Sequence, residues 1–373
     1  MHASLCAPAR PLHTPTSSCT RESPSSDRRA GPAGSAPTRG TTRPHPHHRE
    51  EPTVRRRVAL AGIVTATVAL ALAGCGQENT SDPVSGQAGG KPKVCLVMKS
   101  LANEYFQQMQ DGAVKHVQER NDLTLESSGT QNETDVDGQV ALVESCITKH
   151  ASAIVVAPAD SKALVQVVAK AVKAGIKVVN IDVKLDDGAL QQAGVEVPFV
   201  GPDNRDGARQ SGKALADLLG KGGKVVILEG NPGADNATQR KNGFLDAVAE
   251  GGLTLIDSKT AHWETDEANQ VFASMLTAHP DIQGVMASND SMALGAIKVI
   301  QERKANVKVS SFDNIPAVKE HLQSGVMVAT LDQYGSQQAA DGIDYAMKMI
   351  AGENVTGWQK TEIKLITKDN LGS

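Results

Sequence analysis

The sequence predicts an α/β protein with two doubly wound lobes, each built on a parallel sheet. Short apolar strands alternate with helical segments along most of the chain, which is typical of parallel sheets. In addition, residues 173–182 (KAGIKVVNID) recur without a gap as residues 304–313 (KANVKVSSFD). The echo extends upstream, where residues 145–150 match residues 274–279. A duplicated block of this size indicates two similar lobes in one chain.

The predicted elements run through both lobes in the same order. The scheme restarts near the middle of the chain, where residues 240–244 (RKNGF) resemble residues 109–113 (MQDGA). The predicted strands are residues 94–98, 123–126, 153–157, 177–181, 224–228, 284–288, 326–331 and 362–366. The predicted helices end near residues 120, 149, 174, 219 and 350, and a further predicted helix runs through Gly243.

Two aspartates end the two copies of the repeat. Asp182 and Asp313 each follow a short buried strand. Ligands of open α/β sheets lie beyond the carboxyl ends of the strands, so the two side chains are expected to face one cleft from opposite sides. Either residue alone would be read as a turn or helix cap. The matched pair favours a binding cleft.

Composition limits the classes of protein that fit. A chain of 373 residues is long enough for two domains and additional segments. Aromatic residues make up only 3% of the chain, so a site built on stacking has few candidates. Residues 75–373 carry 28 basic and 38 acidic residues without a basic stripe, which argues against a nucleic-acid partner.

The first 91 residues predict an export signal rather than part of the body. Residues 1–53 are rich in Pro, Ser, Thr, Arg and Gly and are expected to be a disordered extension. Residues 54–74 have a basic start, a short apolar run and small residues at the end, which is typical of an export signal. Leu-Ala-Gly before Cys75 predicts a lipoprotein signal, with Cys75 as the lipidated, palmitate-bearing first residue. Residues 75–91 are then a flexible tether.

Two alternatives to the lipoprotein signal are a plain membrane span and an ordinary secretory signal. The apolar run is slightly short for a span, and the Leu-Ala-Gly-Cys ending favours the lipoprotein interpretation. Because export signals begin near the start of a protein, we expect translation to begin near Val54 and residues 1–53 to be absent from the precursor.

Patterns for catalysis, cofactors and metals were sought and not found. The segment Glu133-x-Asp135-x-Asp137-Gly138, followed by Glu144, nearly fits a calcium loop, but its first ligand is Glu where that loop has Asp. A helix start capped by Asp135 or Asp137 is the favoured interpretation. The sequence contains no phosphate loop, dinucleotide glycine pattern, paired-His zinc helix or nucleophile elbow. We therefore expect a binding protein without catalysis, metal or cofactor.

Five cysteines divide into three groups. Cys6 and Cys19 lie in the extension, and Cys75 is the predicted lipid attachment site. Cys95 lies on the first strand and Cys146 on the helix after the second strand, which packs across the first strand in the common doubly wound order. These two are either bridged, as an exported protein allows, or two buried free thiols.

Several separate stretches carry a resemblance to a known family. They are LVMKSLANEYF (residues 96–106), VVNIDVK (178–184), PDNRDGARQSG (202–212), SNDSMALGA (288–296), SFDNIP (311–316) and ATLDQ (329–333). With these motifs and the lipoprotein ending, the chain is similar to the sugar-binding proteins of bacterial ABC importers. It resembles the ribose- and allose-binding group, which has the type I periplasmic fold, over about residues 91–370.

The resemblance implies a ligand site between the lobes. Polar groups at this site would come from Lys99, Asn103 and Asp182 in the first lobe, and from Arg240, Asn289, Asp313 and Gln333 in the second lobe and at a crossover. Aromatic walls would come from Tyr105, Phe106 and Trp263. Such a set suits a pyranose, because C–H faces pack on aromatic rings and each hydroxyl both donates and accepts.

Departures from the ribose-type pattern leave the sugar open. Val183 stands where ribose binders have Arg, and Lys99 stands where they have Ser, which is closer to the allose-type branch. Tyr105 and Asn314 also replace commoner residues. An aldohexose, a ketohexose, a pentose, a polyol and a cyclitol all suit these groups.

The resemblance also implies a domain plan and a role. The N-terminal lobe would comprise residues 92–200 and 334–361, and the C-terminal lobe residues 201–333 and 362–373, with three crossovers between them. The protein would be a monomeric, lipid-anchored receptor that delivers a monosaccharide or related polyol to a membrane permease. A sugar-sensing receptor, a sugar-responsive transcription regulator and a two-lobed enzyme are the alternatives. We expect Asp313→Ala or Arg240→Ala to abolish sugar binding with little loss of stability.

Overall fold

The structure is a computed structural model that describes residues 90–371. Within this range the chain forms twelve strands that alternate with helices. The strands are Lys93–Ser100 (β1), Thr124–Thr130 (β2), Ala153–Val156 (β3), Lys177–Ile181 (β4), Phe199–Gly201 (β5), Lys224–Glu229 (β6), Thr254–Thr260 (β7), Gly284–Ala287 (β8), Lys308–Ser310 (β9), Met327–Asp332 (β10), Trp358–Lys360 (β11) and Lys364–Thr367 (β12).

Ten α-helices lie between these strands in the same range. They are Glu104–Arg120 (α1), Val136–Thr148 (α2), Val165–Lys173 (α3), Asp187–Ala193 (α4), Asn204–Leu219 (α5), Asp235–Gly251 (α6), Thr265–Ala278 (α7), Asp290–Arg303 (α8), Lys319–Ser324 (α9) and Gly335–Ile350 (α10). Short 3₁₀ turns occupy Pro316–Val318 and Lys368–Asn370. None of the helices within residues 90–371 is long and apolar enough to cross a membrane.

The strands form two six-stranded sheets, which confirms the predicted fold class. The first sheet has the order β11-β5-β4-β3-β1-β2, and the second has the order β12-β10-β9-β8-β6-β7. All pairs in the first sheet are parallel. In the second sheet the edge strand β12 runs antiparallel to β10, and the other pairs are parallel. We call each sheet with its packed helices a lobe.

The chain passes between the two sheets three times. It leaves the first sheet after β5, returns through α10 after β10, and leaves again between β11 and β12. Lys360 pairs with Gly201 at the end of β5, and Lys364 pairs with Asp332 at the end of β10. Only three residues separate β11 from β12, with no helix between them. Strand β12 therefore begins beside the carboxyl end of β10 and runs antiparallel to it. The predicted domain boundaries stay a prediction.

Helices cover both faces of each sheet, as doubly wound sheets require. In β1, Cys95 and Val97 pack with α2 and α3, whereas Leu96 and Met98 pack on the opposite face with α1 and α10. The second sheet repeats this alternation, with α5 and α6 on one face and α7 and α8 on the other. Strands buried on both faces explain the apolar runs that the sequence shows.

The echo between residues 109–113 and 240–244 has a packing cause. Gly112 in α1 faces Ser336 in α10, and Gly243 in α6 faces the backbone of Arg205 in α5. A Cβ atom at either glycine would overlap these neighbours. Each glycine therefore lets the first helix of its lobe touch the helix that follows a crossover.

The predicted elements agree with the observed ones to within a few residues where the apolar pattern is strong. The prediction for β4 is the observed Lys177–Ile181, and α2 begins and ends one residue before its predicted bounds. Helix α4, which begins after the cap Asp186, was not predicted. The predicted extension, export signal, Cys75 and nearly all of the tether lie outside the described residues.

Candidate functional site

The two aspartates of the repeat lie at the same place in the two lobes. Asp182 directly follows β4, and Asp313 follows β9 by three residues. Both have left-handed backbone conformations, with φ of 63° and 119°. Such conformations are uncommon for residues other than glycine. Both side chains are buried and line one cavity between the sheets.

That cavity collects all ten residues that the resemblance implied, together with one that it did not. The space that it leaves for the centres of water-sized spheres is only about 10 Å³. Every lining residue except the half-buried Asn103 is at most 7% exposed. The lining residues are Lys99, Asn103, Tyr105, Phe106, Glu133, Asp182, Arg240, Trp263, Asn289, Asp313 and Gln333. Their role in ligand binding stays a prediction.

The first lobe contributes an ion-pair cluster around Lys99, at the end of β1. The Lys99 ammonium lies 3.0 Å from Glu133 Oε2 and 3.7 Å from Asp182 Oδ2. Asn103 caps α1 by accepting from the Tyr105 N–H, and its side-chain amide donates to Glu133 Oε1 at 2.5 Å. Tyr105 donates its hydroxyl to Asp182 Oδ1 at 3.3 Å.

The second lobe contributes Arg240, which is 2% exposed on α6. Its guanidinium donates to Asn204 Oδ1 at 2.8 Å and to the Ser288 carbonyl at 2.9 Å. The same guanidinium lies 3.3 Å from Asp313 Oδ1 and stacks 3.7 Å from the Phe312 ring centroid. Five-donor guanidinium groups suit buried positions of this kind.

Amide side chains complete this half of the cavity. Gln333 follows β10 at a crossover and donates to Asp313 Oδ1 at 2.7 Å. Asn289 caps α8 by accepting from the Met292 N–H, and its amide donates to the Trp263 carbonyl at 3.2 Å. The cap explains why an Asn-Asp pair stands at the start of this helix.

Aromatic rings enter the cavity from both lobes. Tyr105 and Phe106 meet edge to face, with centroids 5.0 Å apart. The Lys99 ammonium lies 5.2 Å from the ring centroids of Phe106 and Trp263, so these rings flank it from opposite lobes. The backbone of Gly230 lies against the Trp263 indole, where any side chain would collide.

Burial controls the titration of the cavity. Desolvation raises the pKa of Asp313 well above its usual range, although Arg240 opposes that shift. Desolvation also raises the pKa of Glu133, against the opposing effects of Lys99 and Asn103. The pKa of Tyr105 is raised well above its usual value, chiefly by burial and then by Asp182 and Asp313. Three carboxyl groups share the cavity with two cations.

Two buried polar atoms on the cavity wall have no hydrogen-bond partner among the described residues. They are Asp182 Oδ2 and Trp263 Nε1. An unsatisfied buried acceptor or donor costs about 1–3 kcal/mol. One acceptor and one donor on facing lobes match a small guest that carries hydroxyl groups.

Glu133 is the cavity residue that the sequence did not identify. The interpretation of Asp135 as a helix cap is confirmed, because Asp135 accepts from the Gly138 N–H at the start of α2. Glu133 instead turns inward and is 3% exposed. The available signal for Glu133 was Lys99, because a lysine at the end of a buried strand needs a buried counter-ion. Among residues 90–371, no group of three or more His, Cys, Asp or Glu side chains could hold a metal ion.

The lobes also touch at the rim of the cavity. Ser161 donates its N–H to the Gly233 carbonyl at 2.9 Å and accepts from the Asp235 N–H at 2.9 Å. The Glu133 N–H donates to Glu264 Oε1 at 3.1 Å. A larger solvent-open groove of about 820 Å³ lies along this rim and shares no residue with the cavity. The structure therefore shows the two lobes closed on each other.

The predicted cysteine pair lies beneath the first lobe's strands, away from the cavity. Cys95 in β1 and Cys146 in α2 face each other, with Cα atoms 6.3 Å apart. Both are buried, at 0% and 3% exposure.

Two parallel-sheet lobes with three crossings and an enclosed polar cavity define the class of type I periplasmic solute-binding proteins. Residues 94–354 match the family described as the periplasmic binding protein domain. The chain is 43% identical over 319 residues to a D-ribose/D-allose-binding protein of Pseudomonas aeruginosa, covering 84% of this chain and 99% of that protein. It is 32% identical to a ribose import binding protein of Salmonella typhimurium, covering 77% and 95%.

A solved structure agrees with these relatives. An ABC transporter periplasmic solute-binding protein from Actinobacillus succinogenes, with bound D-allose, is 38% identical with a TM-score of 0.71. The match covers 75% of this chain and 98% of that one. The chain belongs to the periplasmic binding protein family, whose members are exported.

Proposed function

We propose that this protein is the solute-binding component of an ABC importer and binds one uncharged monosaccharide in the cavity between its lobes. The observation that carries the proposal is the enclosed cavity, to which both lobes contribute carboxylates, amides and aromatic rings. The relatives' names point to ribose and allose. The protein would deliver its sugar unchanged to a membrane permease.

The side chains in the cavity suit the chemistry of a sugar ring. Hydroxyl groups donate to Asp182 and Asp313 and accept from Arg240 and Asn289, while Phe106 and Trp263 cover the apolar C–H faces. A hydroxyl of the wrong configuration leaves a buried group unpaired, at about 1–3 kcal/mol. Selectivity among epimers follows from that cost.

Closure of the lobes would distinguish sugar-bound protein from empty protein. The cavity residues of one lobe meet those of the other only in the closed arrangement, so a sugar that touches both lobes stabilises it. A permease that distinguishes closed from open protein then receives loaded protein. The rim contacts of Ser161 and Glu264 contribute to the same closed form.

A thermal-shift screen tests the proposal. Purified residues 76–373 would be heated with D-allose, D-ribose, other aldohexoses and ketohexoses, sugar alcohols and myo-inositol. We expect a saturable rise in Tm with D-allose or D-ribose, because binding to the native state alone stabilises it. Recovery of the sugar unaltered is expected as well. No shift with any of these compounds, or a chemically changed sugar, would contradict the proposal.

We infer further that the mature protein is a monomer held to the outer face of the cell membrane through lipidated Cys75. The basic start and Leu-Ala-Gly-Cys ending of residues 54–75 support this. Mass spectrometry of the membrane-associated protein should find a lipidated N-terminal Cys75, and Cys75→Ala should abolish it. An unmodified, soluble mature protein would refute the inference.

We also propose that Cys95 and Cys146 are bridged in the exported protein. Their Cα separation of 6.3 Å lies in the range that disulfides span. Thiol titration of the unfolded, unreduced protein should detect neither cysteine. Two titratable thiols would leave them as buried free cysteines.

A further inference from the structure

We propose that Glu133 is a positioning residue for the sugar site: it orients the Lys99 ammonium and thereby sets which hydroxyl pattern the cavity accepts. This inference rests on the proposed function. Glu133 lies in the loop between β2 and α2, outside the motifs that carry the family resemblance.

Both carboxylate oxygens of Glu133 are engaged inside the cavity. Oε2 lies 3.0 Å from the Lys99 ammonium, and Oε1 accepts from the Asn103 amide at 2.5 Å. Each oxygen of Glu133 therefore already has a partner within the protein. It acts on a bound sugar through Lys99 and Asn103 rather than by direct contact.

Lys99 depends on Glu133 for its placement. The other carboxylate near its ammonium, Asp182, lies 3.7 Å away, beyond a hydrogen bond. The flanking rings of Phe106 and Trp263 attract the cation but do not fix the direction of its N–H bonds. With one ammonium proton directed to Glu133, the other two are directed elsewhere. A lysine donates only, so its direction selects where the guest must present an acceptor.

The backbone of Glu133 links this arrangement to the second lobe. Its N–H donates to Glu264 Oε1 at 3.1 Å. The loop that carries Glu133 is therefore held in this position by a contact made only when the lobes are together. The orientation of Lys99 belongs to the closed, sugar-binding form.

A double-mutant cycle tests the proposal. Affinities for D-allose and D-ribose would be measured by calorimetry for the wild type, Glu133→Gln, Lys99→Met and the double variant. Glu144→Gln is the matched control, because Glu144 on α2 forms an exposed ion pair with Lys170 on α3. Breaking one partner of a buried pair is costly, so we expect E133Q to weaken binding about tenfold or more and to change the allose-to-ribose ratio.

The decisive comparison is the effect of E133Q in the K99M background. If Glu133 acts through Lys99, that effect falls to about threefold or less. Equal effects in both backgrounds, or no effect in either, would overturn the proposal. If E133Q does not fold, Glu133→Asp serves in the same cycle, because the shorter side chain withdraws the carboxylate while keeping its charge. If the thermal-shift screen favours another sugar, the cycle uses that sugar, and a wild type that binds none of the screened compounds would instead refute the proposed function.

Discussion

Buried charged side chains define this protein's site, and their placement follows from the backbone. Asp182 and Asp313 could be predicted because each ends a copy of the same sequence repeat after an apolar strand. Their facing positions follow from parallel topology. Glu133 could not be predicted, because its burial depends on a loop that meets Lys99 from 34 positions away in sequence. Such a contact leaves no local pattern.

Arg240 requires a revision of the expected stability effects. Its guanidinium is packed on Phe312 and hydrogen-bonded to Asn204 and Ser288, so Arg240→Ala leaves a hole and unpaired buried acceptors. We expect this variant to lose sugar binding and about 3 kcal/mol of unfolding free energy. The expectation from the sequence that Arg240→Ala costs little stability is therefore replaced by this larger loss.

Asp313→Asn is the matched comparison for that variant. It keeps the volume of the side chain and leaves two carboxylates, Glu133 and Asp182, facing two cations. We expect it to lose binding at a cost below about 1 kcal/mol in stability. Urea unfolding and calorimetry on both variants check the pair. Equal stability of the two variants would contradict this account of Arg240.

Asp290 is a second kind of buried carboxyl, placed beneath the loop that carries Asp313. It is 0% exposed and accepts from the Thr330 hydroxyl at 2.8 Å and the Ile315 N–H at 2.9 Å. The Ser311 hydroxyl also donates to it. Burial raises the pKa of Asp290 to about 7, although these hydrogen bonds oppose the shift.

The raised pKa of Asp290 predicts a pH dependence of stability. Between the unfolded value of 3.8 and about 7, the folded state keeps a proton that the unfolded state has lost. Stability therefore falls as pH rises through this window, by at most about 1.4 kcal/mol per pH unit, and levels off above it. Urea unfolding from pH 4 to 8 should show this slope in the wild type relative to Asp290→Asn. Parallel curves would contradict it.

Among the helices and strands, the strongly apolar ones could be predicted even when short, whereas helix α4 and strand β11 could not. Strand β4 was predicted with its observed bounds, because the apolar residues Val178, Val179 and Ile181 follow a glycine break at Gly175. Helix α4 has seven residues and strand β11 has three, too few to show a period. The reversed direction of β12 depends on where the chain crosses between sheets, which a local pattern does not contain.

We expect substitution of Gly112 in α1 or Gly243 in α6 by alanine to destabilise the protein. Gly243→Ala places a methyl group against the backbone carbonyl of Arg205, which cannot move aside like a side chain. We expect a loss of about 1–3 kcal/mol from overpacking, measured by urea unfolding. Gly112→Ala should lose a similar amount of unfolding free energy, because its added methyl group would overlap the Cβ and Cα atoms of Ser336.

Gly188→Ala provides the control for this pair. Gly188 is an exposed residue of α4, and the nearest contact of an added Cβ is 3.3 Å from Asp186 Oδ1. Alanine favours helix, so this variant should be neutral or slightly more stable. If Gly243→Ala is as stable as Gly188→Ala, close packing of α5 and α6 does not explain the sequence echo.

The molecule as a unit combines two similar sheets with a cavity that neither lobe could enclose alone. Three crossings hold the lobes together at one edge, and rim contacts such as Ser161 with Gly233 close the opposite side. Lys99 from one lobe and Trp263 from the other meet within the same small space. The duplication visible in the sequence therefore accounts for the fold, the position of the site and the closed arrangement together.

Calorimetric titration of three proteins tests this account most directly. The sugar that gives the largest thermal shift would be titrated into the wild type, Asp182→Asn and Asp313→Asn. We predict one site per wild-type molecule and affinities about tenfold or more weaker in each variant, since each lobe supplies a hydrogen-bonding carboxylate. Unchanged affinity in either variant would show that the two lobes do not hold the sugar jointly.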